Sequence, residues 1–184
     1  MRIIRFLVVA LGLVGLAACG TPTGPVSSNV SGWSMQDINI TFGPEISRTA
    51  TGTEFSSNFV WEGDGDGNRK KLVIALFEDA MQDIGREAMT GNRAVAMNVE
   101  VTRFHALTQA SRLLCCGEHN IRANLSVTDA GSGEVLAEGE DIYLGRVALG
   151  GIPGLVAVAA GRDQRVRIRE SIIRQTRDWL AGEE

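Results

Sequence analysis

Two segments of the chain alternate apolar and polar residues, and this pattern constrains the fold more than any other feature. Val95, Met97, Val99 and Val101 are separated by polar or small residues, and residues 121–128 repeat the pattern. A period of two predicts β-strands that are buried on one face and exposed on the other. Because such a sheet has to cover its apolar face, another part of the chain must pack against it.

Two helices are predicted to provide this cover. Between Arg69 and Thr90 the apolar residues recur at helical spacing, with Asn68 as the predicted N-cap and Gly91-Asn92 as the stop. An arginine-rich segment from about residue 163 to 181 has the same spacing. Its arginines are expected to form ion pairs within the helix on a solvated face, and contact with acidic lipid headgroups or an acidic partner is the alternative.

Further strands are predicted near residues 38–42, 59–61 and 135–144. The polar segment 45–59 is otherwise expected to be irregular, and the glycine-rich segment 145–161 to be a loop. The order β-α-β-β-β-α predicts an α+β two-layer sandwich. In it, an antiparallel sheet of about four strands carries two helices on one face.

The N-terminal segment is typical of a bacterial lipoprotein. Two arginines precede a 13-residue apolar run, which is shorter than the roughly 20 residues that a membrane-spanning helix needs. The run ends in Leu16-Ala17-Ala18-Cys19, which resembles a lipobox. We therefore predict cleavage between Ala18 and Cys19, lipidation of Cys19 and attachment to a membrane through several acyl chains. An ordinary signal peptide with an incidental cysteine is the alternative.

The predicted domains are a signal peptide over residues 1–18, a lipidated cysteine and flexible tether over 19–31, and a single α+β domain over 32–184. The tether is small, polar and contains two prolines. Gly20 stands where lipoproteins retained in the inner membrane typically carry aspartate. The resemblance to lipoproteins therefore implies the outer membrane, with the domain facing the periplasm.

The composition argues against two classes of function. Loss of the signal and its two arginines takes the formal charge from −4 to −6, which is unfavourable for nonspecific binding of nucleic acid. The chain has two histidines and one tyrosine, and no G-x-S-x-G motif accompanies His105. We therefore expect no enzymatic activity and no cofactor.

Two sets of residues suggest metal binding and are interpreted otherwise. Cys115 and Cys116 lie near His119, with His105 not far away in the sequence. Adjacent cysteines point in different directions, which is unfavourable for a zinc site. Two small side chains at the start of a strand are therefore preferred over a metal or redox site. The spacing of Asp64, Asp66 and Asn68 opens a calcium loop, yet Arg69 and Ala75 replace the glycine and glutamate that the loop needs. A solvated turn before a helix is expected there.

The apolar run Val147–Ala160, 14 residues without a charge, lies between Arg146 and Arg162. It is too short to span a bilayer. One interpretation is a loop that packs or moves ahead of the last helix. The other is an exposed apolar patch that docks a partner or lies on the bilayer. The candidate interaction residues of this patch are Val147, Leu149, Ile152, Leu155, Val156 and Val158.

Trp33 and the segments 61–80, 101–112, 120–136 and 161–180 together resemble a family of uncharacterised lipoproteins from Rhodobacter-like alphaproteobacteria. The resemblance supports the lipoprotein prediction and implies no activity and no catalytic residues. Cys115-Cys116 departs from the usual pattern of that family. The order of elements is also similar to small outer-membrane lipoproteins that assist lipopolysaccharide assembly or lipid transport.

These observations predict a membrane-anchored, periplasm-facing lipoprotein. We expect it to act as a non-enzymatic accessory or binding subunit of an envelope assembly or transport system, with an envelope protein as its partner. The alternative is a carrier that holds a small apolar ligand or lipid between sheet and helices.

Overall fold

A computed structural model describes residues 29–48, 58–61, 68–108 and 117–183. The strands are β1 (Trp33–Phe42), β2 (Phe59–Val60), β3 (Arg93–His105), β4 (Gly117–Asp129), β5 (Val135–Tyr143) and β6 (Arg146–Ala148). The helices are α1 (Pro44–Arg48), α2 (Arg69–Ala88), α3 (Gly151–Ala159) and α4 (Gln164–Ala181). A short 3-10 turn over Val30–Gly32 precedes β1. The predicted α+β class, with two long helices against a sheet, is confirmed.

The main sheet runs in the order β1-β3-β4-β5, with β2 beside the end of β3 and β6 beside the start of β4. The pairs β3–β4 and β4–β5 are antiparallel, as expected for consecutive strands with short connections. By contrast, β1 is parallel to β3, so the sheet is mixed. The connection between β1 and β3 contains α2. This helical crossover brings the chain back to the end of the sheet where β1 begins, so β3 runs in the same direction as β1.

One face of the sheet carries the core. Ile38, Ile40 and Phe42 of β1 share this face with the alternating valines of β3, and the apolar residues of β4 continue it. Two amphipathic helices and α1 cover it. The buried residues of α2 are Val73, Leu76, Phe77, Ala80, Met81 and Ile84, and the buried apolar residues of α4 are Ile168, Ile172, Trp179 and Leu180. The opposite face carries the polar residues of each strand.

Aromatic side chains occupy one end of this core. The ring centroid of Phe104 lies 5.5 Å from that of Trp61, 6.2 Å from that of Phe59 and 6.4 Å from that of Phe77. Phe104 is fully buried. Edge-to-face and tilted arrangements at these distances are favourable for aromatic pairs. Phe104 therefore joins β3 to β2, to the residue that follows β2, and to α2.

The ends of both long helices agree with the sequence pattern. The Oδ1 atom of Asn68 accepts a hydrogen bond from the backbone N–H of Lys71 at 3.2 Å, as predicted for the N-cap of α2. Asp163 caps α4 in the same way, through the N–H of Val166 at 2.9 Å. The helix predicted to run to Thr90 ends at Ala88.

Two segments are more regular than predicted. Residues 44–48, expected to be irregular, form the single turn α1, in which Pro44 is the first residue and Ile46 is buried. The segment 145–161, expected to be a loop, contains β6 and α3. Helical periodicity is a contrast between an apolar and a polar side. This contrast cannot be detected in the sequence of a single turn or in that of a helix without polar residues.

Arginines of α4 pair with a neighbouring helix and not within their own. Arg169 contacts Asp79 at 2.5 Å and also contacts Asp83, and Arg177 contacts Glu87 on the same helix, α2. The expected ion pairs within α4 are therefore wrong for these residues. The reason is that α4 lies beside α2 and presents these guanidinium groups to the carboxylates of α2. The hydrogen bond from Arg169 lowers the pKa of Asp83.

Asp129 organises the turn between β4 and β5. Its carboxylate accepts hydrogen bonds from Arg93 Nε at 2.8 Å, from the backbone N–H of Ser132 at 2.9 Å and from that of Gly131 at 3.0 Å. The bond from Arg93, followed by those from Ser132, holds the pKa of Asp129 well below its usual value. This carboxylate therefore stabilises the fold in its ionised form.

We expect the stabilisation by Asp129 to disappear in acid. A carboxylate whose pKa in the folded state lies below the unfolded value of about 3.9 stabilises the folded state when it is ionised. This stabilisation is fully present above the unfolded-state pKa and is lost as the pH falls towards the folded-state pKa. The urea midpoint, followed by tryptophan fluorescence, should fall between pH 5 and pH 2 more steeply in the wild type than in Asp129→Asn. Asp141→Asn, which removes another carboxylate of the sheet, is the control. Equal slopes for the wild type and Asp129→Asn would contradict the expectation.

Candidate functional site

Several residues singled out from the sequence lie outside the described residues. These are Ala18 and Cys19 of the predicted cleavage and lipidation site, Cys115 and Cys116, and Asp64 and Asp66 of the calcium-like spacing. Asn68, the third residue of that spacing, is described, and its side chain caps α2. Lipidation of Cys19 therefore remains a prediction from the sequence.

Both histidines lie near the C-terminal end of β3. His119 is buried, and its Nδ1 atom accepts a hydrogen bond from the backbone N–H of Leu107 at 3.2 Å. This bond holds the segment after β3 against β4. Partial burial, and then the charge of Arg103, lowers the pKa of His105. Across the described residues, no three His, Cys, Asp or Glu side chains converge as a metal site would require.

The six candidate interaction residues lie together on an exposed apolar segment, defined here as residues 147–158. Ile152 is 76% exposed and Val147 is 71% exposed. The remaining four residues, Leu149, Leu155, Val156 and Val158, are between 39% and 64% exposed. No residue of α3 is buried. The solvent therefore meets several large apolar side chains on one short segment, and exposed apolar patches mark interaction sites.

The base of the apolar segment is held firmly by α4. Ser171 Oγ donates to the carbonyl oxygen of Gly145 at 2.7 Å, and Arg146 donates to that of Arg167 at 3.1 Å. Arg167, expected on a solvated face, is instead buried and donates to the carbonyl oxygen of Val147 at 3.4 Å. Glu170 forms an ion pair with Arg162 at 2.6 Å, beyond the other end of α3. The segment thus leaves and re-enters the domain at fixed points.

Two glycines set the direction of α3. Gly151 at its first residue has a φ of 54°, and Gly161 just beyond its end has a φ of 72°. Positive φ angles of this size are strained for residues with a Cβ atom. The sharp turns at both ends allow a nine-residue helix to project between two fixed points.

A second surface is the open face of the sheet, defined as the polar side chains of β1, β3, β4 and β5 opposite the helices. Asn98 is at its centre. Its amide accepts a hydrogen bond from Asn39 at 3.0 Å and donates to Ser126 at 3.4 Å and to Thr128 at 3.3 Å. These bonds link β1, β3 and β4 side by side. They hold the amide and hydroxyl groups in a defined arrangement.

A second set of bonds continues this network towards β5. Asn124 donates to Glu100 at 2.8 Å and accepts from the backbone N–H of Asp141 at 3.0 Å. Arg122 forms an ion pair with the carboxylate of Asp141 at 2.6 Å. An open depression on this face is lined mainly by side chains of Asn, Ser, Thr and Glu, including Glu138. The open face therefore offers ordered donors and acceptors to a polar partner.

The polar residues of the alternating segments indicated that the sheet would have a polar open face. The apolar content of residues 147–158 indicated the candidate interaction residues. No sequence pattern identified the contacts of Asn98, Asn124 and Arg167, because each of these side chains bonds to residues far away in the chain. Within the described residues, no helix is long and apolar enough to cross a membrane.

Together these features define a two-layer α+β domain with helices on one face of a mixed sheet, a polar open face and a projecting apolar helix. The chain belongs to a family of unknown function, DUF6778, whose model matches residues 34–184. No significant match was found among curated proteins.

The solved structures that are similar to this chain include the following two. One is a putative lipoprotein from Caulobacter crescentus, at 20% identity and a TM-score of 0.36, covering 64% of this chain and 87% of that one. The other is a protein from Xanthomonas campestris described by the DUF330 family model. It has 15% identity and a TM-score of 0.43, and covers 89% of this chain and 90% of that one.

Proposed function

We propose that the protein is a lipoprotein of the outer membrane, anchored through Cys19 and facing the periplasm. In this proposal it acts as a non-enzymatic accessory or binding subunit of an envelope assembly or transport system. The predicted lipobox supports the anchor, and Gly20 supports the outer membrane. The resemblance to lipoproteins of Rhodobacter-like alphaproteobacteria supports a two-membrane host.

The open face of the sheet is the observation that carries the binding role. Its side chains are preorganised by bonds among Asn39, Asn98, Ser126 and Thr128, so little side-chain entropy remains to be lost when a partner binds. The groups are amides, hydroxyls, carboxylates and a guanidinium. Such groups recognise polar surfaces of other proteins. We therefore assign the partner-binding surface to this face.

The carrier alternative receives no support from the packing. A carrier needs an apolar cavity between sheet and helices. That space contains fully buried side chains from both layers, including Phe77, Met97 and Ile168. The depression on the open face is lined mainly by polar side chains and does not suit an apolar ligand.

Photo-crosslinking tests the partner-binding role. A benzophenone side chain replacing Glu138, on the open face, should crosslink the full-length protein in cells to one envelope protein. The same side chain replacing Glu78, exposed on α2, is the matched control and should give no such product. Asn98→Ala, which removes the centre of the network, should reduce the crosslinked product several-fold. Equal products from both crosslinker positions, or none from Glu138, would count against the proposal.

A further inference from the structure

Helix α3 has no polar side chain, and none of its residues is buried. Successive residues of a helix advance by about 100°, so Ile152, Leu155 and Val156 share one face, Val158 lies outside it, and glycine, proline and alanine occupy the remaining positions. All four are at least 52% exposed. A helix that docks into a protein groove is amphipathic and keeps a polar side towards the solvent, whereas α3 has no polar side chain. A helix that is apolar all round suits an apolar medium that surrounds it.

The length of α3 matches one leaflet of a bilayer. Its nine residues extend about 14 Å at about 1.5 Å per residue. The hydrocarbon core of a bilayer is about 30 Å thick. The helix can therefore enter one leaflet without crossing it, and both of its ends can return to the domain.

Basic side chains are numerous at the end of the sheet from which α3 projects. The chain leaves α2 at its C-terminal end and enters β3 directly, so the start of α2 lies at the end of the sheet where β3 finishes and β6 leads into α3. The basic residues at this end are Arg69, Lys70, Lys71, Arg103, Arg146, Arg162 and Arg165. Among the described residues they outnumber the acidic ones there, which are Glu45, Glu118, Asp163 and Glu170. This charge is complementary to anionic lipid headgroups.

The predicted tether determines how the domain lies on its membrane. Trp33 pairs with Arg93, so the folded chain begins at the end of the sheet opposite α3. The 13 residues of β3 span about 43 Å at about 3.3 Å per residue. The ten steps from Cys19 to Asn29 reach at most about 36 Å. With α3 in the anchoring bilayer, the sheet therefore cannot stand fully upright and must tilt towards the membrane.

We infer that α3 inserts into the membrane leaflet that holds the lipid on Cys19, with Arg146 and Arg162 at the level of anionic headgroups. The domain is then tilted towards the bilayer, attached by the lipid at one end of the sheet and by α3 at the other. The lipid raises the effective concentration of α3 at the surface, so a short helix is sufficient for the second attachment. This attachment rests on the predicted lipid anchor and is independent of partner binding at the open face.

Tryptophan fluorescence can test the insertion. The three native tryptophans, Trp33, Trp61 and Trp179, are at most 7% exposed, so an introduced tryptophan will dominate quenching by lipid. The mature lipidated protein with Val156→Trp is reconstituted in vesicles of phosphatidylethanolamine and phosphatidylglycerol, with or without brominated acyl chains. The matched control is Val135→Trp, which places tryptophan at an exposed valine at the opposite end of the sheet. Near-UV circular dichroism checks that both variants are folded.

Brominated lipid should quench Val156→Trp several-fold more than Val135→Trp, and the emission of Val156→Trp should shift to the blue. Replacing the anionic lipid by phosphatidylcholine should reduce this quenching. Equal quenching of the two variants would overturn the proposal. A blue shift without quenching would also overturn it, because a protein or a second copy would then cover α3. Quenching that is unchanged on neutral vesicles would overturn the role of the arginines. Failure to crosslink a partner at Glu138 would leave the quenching result intact.

Discussion

Replacement of Cys19 by serine is expected to abolish lipid attachment completely. In a lipobox the nucleophile is the thiolate, and a thiol with a pKa of about 8.5 ionises far more readily than a serine hydroxyl. Because cleavage follows acylation at a lipobox, residues 1–18 should also stay attached. Metabolic labelling with an alkyne fatty acid and mass spectrometry of the intact protein would measure both effects. The variant should carry no label and should have the mass of the precursor.

Cys116→Ser provides the matched control for this experiment. It removes one of the two other cysteines and should keep both the lipid label and the cleaved N-terminus. Lipid incorporation at wild-type level in Cys19→Ser would contradict the lipobox assignment. Cleavage without lipid would instead indicate an ordinary signal peptide.

Replacement of Phe104 by alanine is expected to lower the free energy of unfolding by about 3–5 kcal/mol, the range for removing a fully buried aromatic ring. The ring contacts Phe59, Trp61 and Phe77, so its loss leaves a cavity where β2, β3 and α2 meet. Urea denaturation followed by tryptophan fluorescence would measure the change, because Trp61 lies directly against the ring.

Two variants make the Phe104 result specific. Phe104→Leu keeps most of the volume and should cost less than about 1.5 kcal/mol. Phe42→Ala removes a ring that is only partly buried and lies at the edge of the same cluster, so it should cost less than Phe104→Ala. A loss in Phe104→Ala no larger than that in Phe42→Ala would show that this end of the core is loosely packed.

The agreement between sequence and structure is greatest where a local pattern has one physical solution. The alternation around Val95–Val101 permits only a strand with one buried face. The amphipathic spacing after Asn68 permits only a helix with one buried side, and the structure confirms both. Alternation says nothing about the direction of a neighbouring strand, so the parallel pairing of β1 with β3 could not be predicted from it.

Only part of the candidate site was predicted, because local patterns do not show which distant residues meet. The composition of residues 147–158 indicated an apolar patch, and the polar halves of the strands indicated an open face. The partners of Arg167, Arg169 and Asn98 were not predictable, because these bonds join residues that only the folded chain brings together. Arg169, for example, bonds to Asp79, 90 positions earlier in the chain.

The sequence by itself determined the α+β class, the two amphipathic helices, the buried face of the sheet and the predicted lipid anchor at Cys19. These depend on periodicity and on short motifs, which are properties of neighbouring residues. Only the tertiary structure decided the direction of β1, the pairing of α2 with α4, and the exposure of α3 at the end of the sheet opposite the start of the folded chain. Those features depend on which distant segments meet, and exposure is a property of the packed molecule and not of the residue.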